Sequence, residues 1–278
     1  MRINHNILSM TARRHLNTNQ LVMDSAVNRL SSGLRINQAW EDPSGLAVSE
    51  KFRAQIASMT EAERNANYAI NLLSTAEGAL SVMDEKLIRM RALSIQASNG
   101  TLTSTDRSYI NTEFQQLKSE VTRIANVTNY NGLYLIDGSY SSGSGNSVKF
   151  HIGTHNVSNE DFYFVNIANM TASALGLSGA SLSTTASAQS AIGLMDSAIN
   201  IKDGERTAIG SYVERLQNTI LNLQISQETA TASESTIRDA DMAYEMSSFV
   251  RSQILMQTGV SMLAQANQLP MLVANLIA

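Results

Sequence analysis

The chain has no cysteine, which excludes disulfides, thiolate metal sites and a cysteine nucleophile. Only two prolines, Pro43 and Pro270, interrupt its 278 residues, and aromatic residues make up 5 %. That scarcity points away from sandwiches and barrels and toward long, Ala-rich helices. The net charge is mild, at -4, and no basic patch is interleaved with aromatics, so there is no footprint for nucleic acid. No stretch of about eighteen uninterrupted apolar residues occurs, and the opening MRINHNILSM lacks the apolar core of a cleavable signal peptide. The chain therefore reads as a soluble, uncleaved protein without membrane insertion.

What is present is heptad periodicity. Steps of four and three from Val48 pick out Phe52, Gln55, Met59, Ala62, Ala66, Ala69, Leu73, Ala76, Leu80, Met83, Leu87 and Met90, and only Gln55 is polar. A stripe this long, with no proline and a single Gly78, predicts one helix whose seam is covered by other helices. At 1.5 Å per residue the rod is on the order of 65 Å long, so an elongated protein is expected.

Before the rod, Ile7, Met10, Leu16, Met23, Val27, Leu30 and Leu34 predict an amphipathic helix ending near Gly33. Its basic bias fits a solvated face or, as the alternative, an export or membrane-surface role. Asp42 and Pro43 suit the N-cap and first position of the rod, and Asn99-Gly100 suits a left-handed stop. After capping residues Ser104 and Thr105, a second helix carries Ile110, Phe114, Leu117, Val121 and Ile124 and folds back as an antiparallel hairpin. From Asn131 the period becomes two, predicting short strands with SYSSGSGNS as a hairpin tip. TASALGLSGASLSTTASA reads as a Ser/Ala/Gly-rich linker or loop.

From Ile192 the heptad resumes through Met195, Ile199, Lys202, Arg206, Ile209, Val213, Leu216 and Ile220, the natural partner of the first rod. Lys202 and Arg206 beside Asp203-Gly204 mark a break or a change of partner. After Ala240 the character shifts. Met242, Met246, Phe249, Met256, Val260 and Leu263 hold a seam, while Val250, Ile254, Leu255 and Met262 place apolar groups on other faces. A helix apolar on several sides must be buried on several sides, and one N-terminal helix cannot cover them all. Neighbouring copies are called for.

Catalysis finds little support. His151 and His155, with Cα atoms roughly 13 Å apart on an extended chain, fit a structural or surface role, and His5 and His15 are isolated. No H-E-x-x-H occurs, Gly143-x-Gly145 is a flexible tip without a following helix, and Asp239 and Asp241 fit helix capping. No catalytic, cofactor or metal residue is assigned, and the expectation is a non-enzyme.

LSSGLRIN (Leu30 to Asn37) with DPSGLAVSEKFRAQI (Asp42 to Ile56), and IRDADMAYEM (Ile237 to Met246) with ILMQTGVSMLAQANQLP (Ile254 to Pro270), resemble the paired terminal signatures of bacterial flagellin. RMRALSIQASNG and TNYNGLYLIDG between them are also similar. Trp40 and Pro43 stand where small residues are usual, Leu269-Pro270-Met271 lacks the usual glutamine, and the large variable outer domains are missing. The resemblance implies a mainly α fold of long antiparallel helices with a small β-hairpin element and terminal helices paired as a coiled coil. Its divisions would be residues 1–40 and 241–278 as an inner domain and 41–240 as a rod, with helices 44–98, 105–128 and 187–237 and a β region over 131–170.

It further implies a filament subunit for motility, exported unfolded and polymerised through its ends, with a seam of Ile3, Ile7, Leu30, Leu34, Met242, Met246, Phe249, Met256, Val260 and Leu263. The partners implied are the chain itself, an export chaperone, hook-associated junction and cap proteins, and a flagellin-sensing Toll-like receptor reading Arg89, Leu93 and Glu113. The filament would be extracellular, or periplasmic as in spirochaetes, to whose core flagellins the FHIG segment is similar. The alternatives are a hook-filament junction protein and a soluble coiled-coil binding module.

Overall fold

A computed structural model describes residues 5–277, with side chains for residues 5–268. Ile3 of the expected seam and the side chains of Leu269-Pro270-Met271 lie outside the described residues. The elements are α1 (Ile7–Ser32), α2 (Pro43–Ala97), α3 (Ser104–Val127), β1 (Asn129–Tyr130), β2 (Leu133–Tyr134), β3 (Val148–His151), β4 (Phe162–Val165), α4 (Thr185–Arg238) and α5 (Met242–Ile277). They form two compact units. One is drawn from residues up to Ile56 and from Glu228 onward, the other from Ala57–Gln227.

The helix ends follow from local chemistry. Asn6 caps α1 by accepting from the Ser9 N–H, and Gly33 closes it at φ 72, a left-handed conformation that costs glycine little. Asp42 Oδ1 accepts from Gly45 N at 2.9 Å, so Asp42 and Pro43 start α2 as expected. The expected left-handed stop at Asn99-Gly100 is corrected, since neither residue has positive φ. The end of α2 is satisfied instead by Arg107, whose guanidinium donates to the carbonyls of Ala97 and Asn99 at 3.0 and 2.9 Å. Thr103, one residue ahead of the expected caps, begins α3 through a capping box with Asp106. Asp241 caps α5, accepting from the N–H groups of Ala243 and Tyr244.

The 57–227 unit holds a continuous core. On α2, Met59, Ala66, Leu73, Leu80 and Leu87 recur every seven residues, as do Ala62, Ala69, Ala76, Met83, Met90 and Ala97, and none is more than 4 % exposed. These two series are the a and d positions of a heptad. The opening of the stripe differs, with Val48 44 % exposed. The facing series on α4 is Ala188, Met195, Lys202, Ile209 and Leu216, all buried. Antiparallel pairing follows from the side chains that join the rods, Arg91 to Asp196, Lys202 to Asp84, Arg206 to Glu77 and Gln224 to Glu63. The break or partner change expected at Lys202 and Arg206 is corrected. The helix runs on, and both charges meet acids of α2, the same partner helix.

Phe114, Val121 and Ala125 of α3 complete the core with Phe150, Tyr163 and Val165 from the β region. β1 and β2 form a two-residue hairpin, with Asn131 at φ 51 and Gly132 at φ 81, the backbone that Asn-Gly favours. β3 pairs antiparallel with β4, Val148 opposite Val165 and His151 opposite Phe162. SYSSGSGNS is therefore not a hairpin tip, because it joins β2 to β3 and those strands belong to different sheets. The true tip is 152–161, where Asp161 Oδ1 and Oδ2 accept from His155 N and Val157 N at 3.0 and 2.9 Å. The Ser/Ala/Gly-rich loop that follows is pinned, since Ala172, Leu175, Leu177 and Leu182 are buried and Asn111 Oδ1 accepts from Leu182 N at 2.8 Å.

Candidate functional site

In the terminal unit, α1 and α5 run antiparallel. Asn6 Nδ2 donates to Ala266 O at 2.8 Å, and Arg29 Nη1 reaches Glu245 Oε1 at 3.1 Å. Between these contacts Gly259 admits α1 so closely that a Cβ there would stand 2.7 Å from Leu16 Cδ2. The chain on either side is stitched together by an isolated antiparallel bridge between Leu34 and Asp239, with Ala240 N donating to Gly33 O at 3.0 Å. Arg29 is the hub. Its second nitrogen lies 3.6 Å from Glu41 Oε1, while Glu41 Oε2 accepts from Asn37 N and Gln38 N at 2.8 and 3.0 Å. The Gln38 N–H, with Asn37 N–H and Arg29, holds the Glu41 carboxyl below the usual carboxylate range.

The face that α5 turns to α1 is lined by small and polar residues as well as by members of the expected seam. Glu245, Ser252 and Ala266, at 6, 4 and 7 % exposed, recur with Gly259 at seven-residue spacing, flanked by half-buried Phe249, Met256 and Leu263. Small side chains bring the helices close. On α1, Leu16, Met23 and Leu30 are half-buried at the same spacing, and Ala26 is 2 % exposed. Leu34 is also half-buried. Of the other expected seam residues, Ile7, Met242 and Met246 are 60, 48 and 50 % exposed, and Val260, 58 % exposed, lines grooves shared with Leu16 and Met23 of α1. Leu8, Met10, Leu21, Val22, Tyr244, Val250, Ile254, Leu255 and Met262 are bare as well. Periodicity alone favoured the large residues. The heptad of Glu245, Ser252, Gly259 and Ala266 was visible in the sequence only as spacing, because its members are polar or small.

Of the expected receptor residues, Arg89 and Glu113 are exposed and paired at 2.8 Å across α2 and α3, whereas Leu93 lies in the core at 1 %. The His151 ring stacks on Phe162, and His155 Nδ1 lies 2.9 Å from Thr154 Oγ1. Among the described residues no cluster of histidine and carboxylates could hold a metal, and no helix is long and apolar enough to cross a membrane.

The fold is thus that of a mainly helical protein whose terminal helices pair with one another and carry bare apolar flanks. The model of the bacterial flagellin N-terminal helical region matches residues 3–141, and that of the C-terminal helical region matches residues 192–277. The chain belongs to the bacterial flagellin family, a family of structural proteins and not of enzymes. It is 39 % identical over 288 residues to the flagellar filament 33 kDa core protein of Treponema phagedenis, covering all of both chains. It is also 39 % identical to the flagellins of Halalkalibacterium halodurans and Bacillus subtilis, again over the full length of each. Among solved structures, Bacillus cereus flagellin is similar with TM-score 0.50 and 31 % identity, over 58 % of this chain and 88 % of that one. A flagellar hook-associated protein of Vibrio parahaemolyticus shares the fold with TM-score 0.58 at 17 % identity, over 72 % of this chain and all of that one.

Proposed function

We propose that the chain polymerises with copies of itself into a flagellar filament through the flanks of α1 and α5. The observation that carries this is the bareness of the terminal unit. Large apolar side chains such as Ile7, Leu8, Met10, Leu21, Met242, Met246, Ile254, Val260 and Met262 are 50 % exposed or nearly so and more, whereas a soluble monomer's largest apolar patch is ordinarily about 300–600 Å². Burying them between copies supplies the driving force that the small-residue α1–α5 seam leaves unused. In this reading residues 1–40 and 241–278 form the inner part of the filament and 41–240 the outer rod. The subunit passes through the export channel unfolded and without cleavage, and a chaperone covers α5 until delivery.

Junction and cap proteins would engage the same terminal surfaces at the ends of the filament. Recognition by an animal flagellin receptor would rest on Arg89 and Glu113, with Leu93 supporting them from the core. The full-length likeness to a spirochaete filament core protein and to Bacillus flagellins supports a filament either in the periplasm or outside the cell.

Limited proteolysis of purified monomer, beside monomer seeded with filament fragments and viewed by electron microscopy, tests the proposal. Cleavage before about residue 40 and after about residue 240 in the monomer, with protection in long filaments, is the expected result. Ends already protected in a monomer that seeds no filaments would instead indicate a self-contained coiled-coil module.

A further inference from the structure

Trp40 is the sole tryptophan of the chain, and its side chain is 76 % exposed. The turn that presents it is fixed by the residues that flank it. Ile36 is buried at 1 % exposure, and its Cδ1 lies against Gly45, where a Cβ would stand 2.9 Å away. Glu41 N donates to Gln38 O at 3.1 Å, and the Glu41 carboxylate gathers Asn37 N, Gln38 N and the Arg29 guanidinium. The indole N–H donates to Gln38 Oε1, so its polar edge is satisfied within the turn. What remains outward is a large aromatic surface on a fixed base. Little conformational freedom is left to lose when it is covered, which is the condition under which one aromatic side chain dominates an interface.

We infer that Trp40 is an anchor buried against a second copy of this chain when subunits associate, an inference that rests on the polymerisation reading above. Continuity points to that occupant. Glu41, next to Trp40, is paired through Arg29 of α1 with Glu245 of α5, which joins the Trp40 turn to the two helices that carry the bare apolar side chains. Val27 of α1, Val48 of α2 and Tyr244 of α5, all in this unit, are 44, 44 and 69 % exposed. A knob that meets a different patch on an identical neighbour gives a heterologous contact, which extends into an open helical array instead of closing as a dimer.

The single tryptophan makes the test direct. Emission is excited at the red edge, where tyrosine does not absorb, in full-length monomer and in the same sample after seeding, with growth followed by light scattering and electron microscopy. Burial against a neighbour moves the emission maximum to shorter wavelength and reduces acrylamide quenching severalfold. Trp40→Ala should leave the monomer's circular dichroism unchanged and raise the critical concentration about tenfold or more, with Trp40→Phe between. Long filaments whose emission and quenching match the monomer, or an unchanged critical concentration in Trp40→Ala, overturn the anchor and leave the polymerisation reading intact. Absence of any filament from the seeded wild-type chain overturns both.

Discussion

Lys202 sits at a core heptad position of α4 between Met195 and Ile209, with its side chain 2 % exposed. Its ammonium is paired with Asp84 of α2 and, at 2.7 Å, with Asp203. Their exposures differ, at 28 % for Asp84 and 56 % for Asp203, so Asp84 is the partner that compensates the buried charge. Removing one member of a buried pair costs about 3–5 kcal/mol, and replacing the buried member by an apolar residue of similar volume is close to neutral. With Asp203 retaining part of the attraction, Asp84→Ala is expected to cost about 2–3 kcal/mol, and Lys202→Met no more than about 1 kcal/mol. For a unit of this size that separates the melting temperatures by roughly 4–8 °C, Asp84→Ala being the lower. Thermal unfolding of the monomer followed by far-UV circular dichroism measures both, and the double variant should return to the level of Lys202→Met. The reasoning is refuted if Lys202→Met loses as much stability as Asp84→Ala. The ammonium would then be contributing net stability, and its burial would not be the cost argued here. A charge at a core position also fixes register, so Lys202→Met is expected to relax the α2–α4 alignment while sparing the melting temperature.

Gly259→Leu should separate α1 from α5, since even a Cβ would stand 2.7 Å from Leu16 Cδ2; faster proteolysis of the terminal helices, with the 57–227 fragment still resistant, is the expected digest. Leu93→Ala should lower stability by about 2–5 kcal/mol because the side chain is fully packed, while Arg89→Ala, a surface ion-pair partner, should change it by less than about 1 kcal/mol; denaturant titration separates the two. The Asp161 carboxyl is held below its ordinary range by the His155 and Val157 N–H groups. The sign follows from that depression: the ordering of the 152–161 tip is complete above the ordinary carboxylate range, near pH 4, and is lost as pH falls through the lowered value. Hydrogen exchange at the His155 and Val157 amides should stay protected at pH 5 and speed up only in stronger acid, after correction for intrinsic rates, whereas Asp161→Ala should expose both amides at every pH.

The long helices and the α2 seam were legible because periodicity is a property of the chain alone, and the buried series from Met59 to Met90 follows the predicted stripe. Asp42 and Asp241 were legible for the same local reason, as a cap needs only its own next turn. Tertiary partners were not. The end of α2 depends on Arg107 from the following helix, the hairpin tip depends on which strand β3 chooses, and Lys202 looked like an interruption because its compensating acid lies on another helix. On α5 the sequence drew attention to methionines and leucines, whereas the contact with α1 runs over Glu245, Ser252, Gly259 and Ala266, where closeness of backbones matters more than apolar volume. The turn around Trp40 could not be read in advance, since its rigidity comes from Arg29 and Glu41 meeting across a loop.

The bridge between Leu34 and Asp239 joins backbone segments separated by about three quarters of the chain. Closing so large a loop in an unstructured polypeptide is slow, because the entropy of closure precedes any reward from contact. Pairing of α2 with α4 removes most of that cost, since Gln227 lies on Thr60 once the 57–227 unit has formed. The order of events is therefore built into the connectivity. During synthesis from the N-terminus α1 emerges first and finds its partner last, so the terminal surfaces stay unpaired until the final segment of the chain has appeared. A subunit built this way cannot present a finished terminal unit before it is whole.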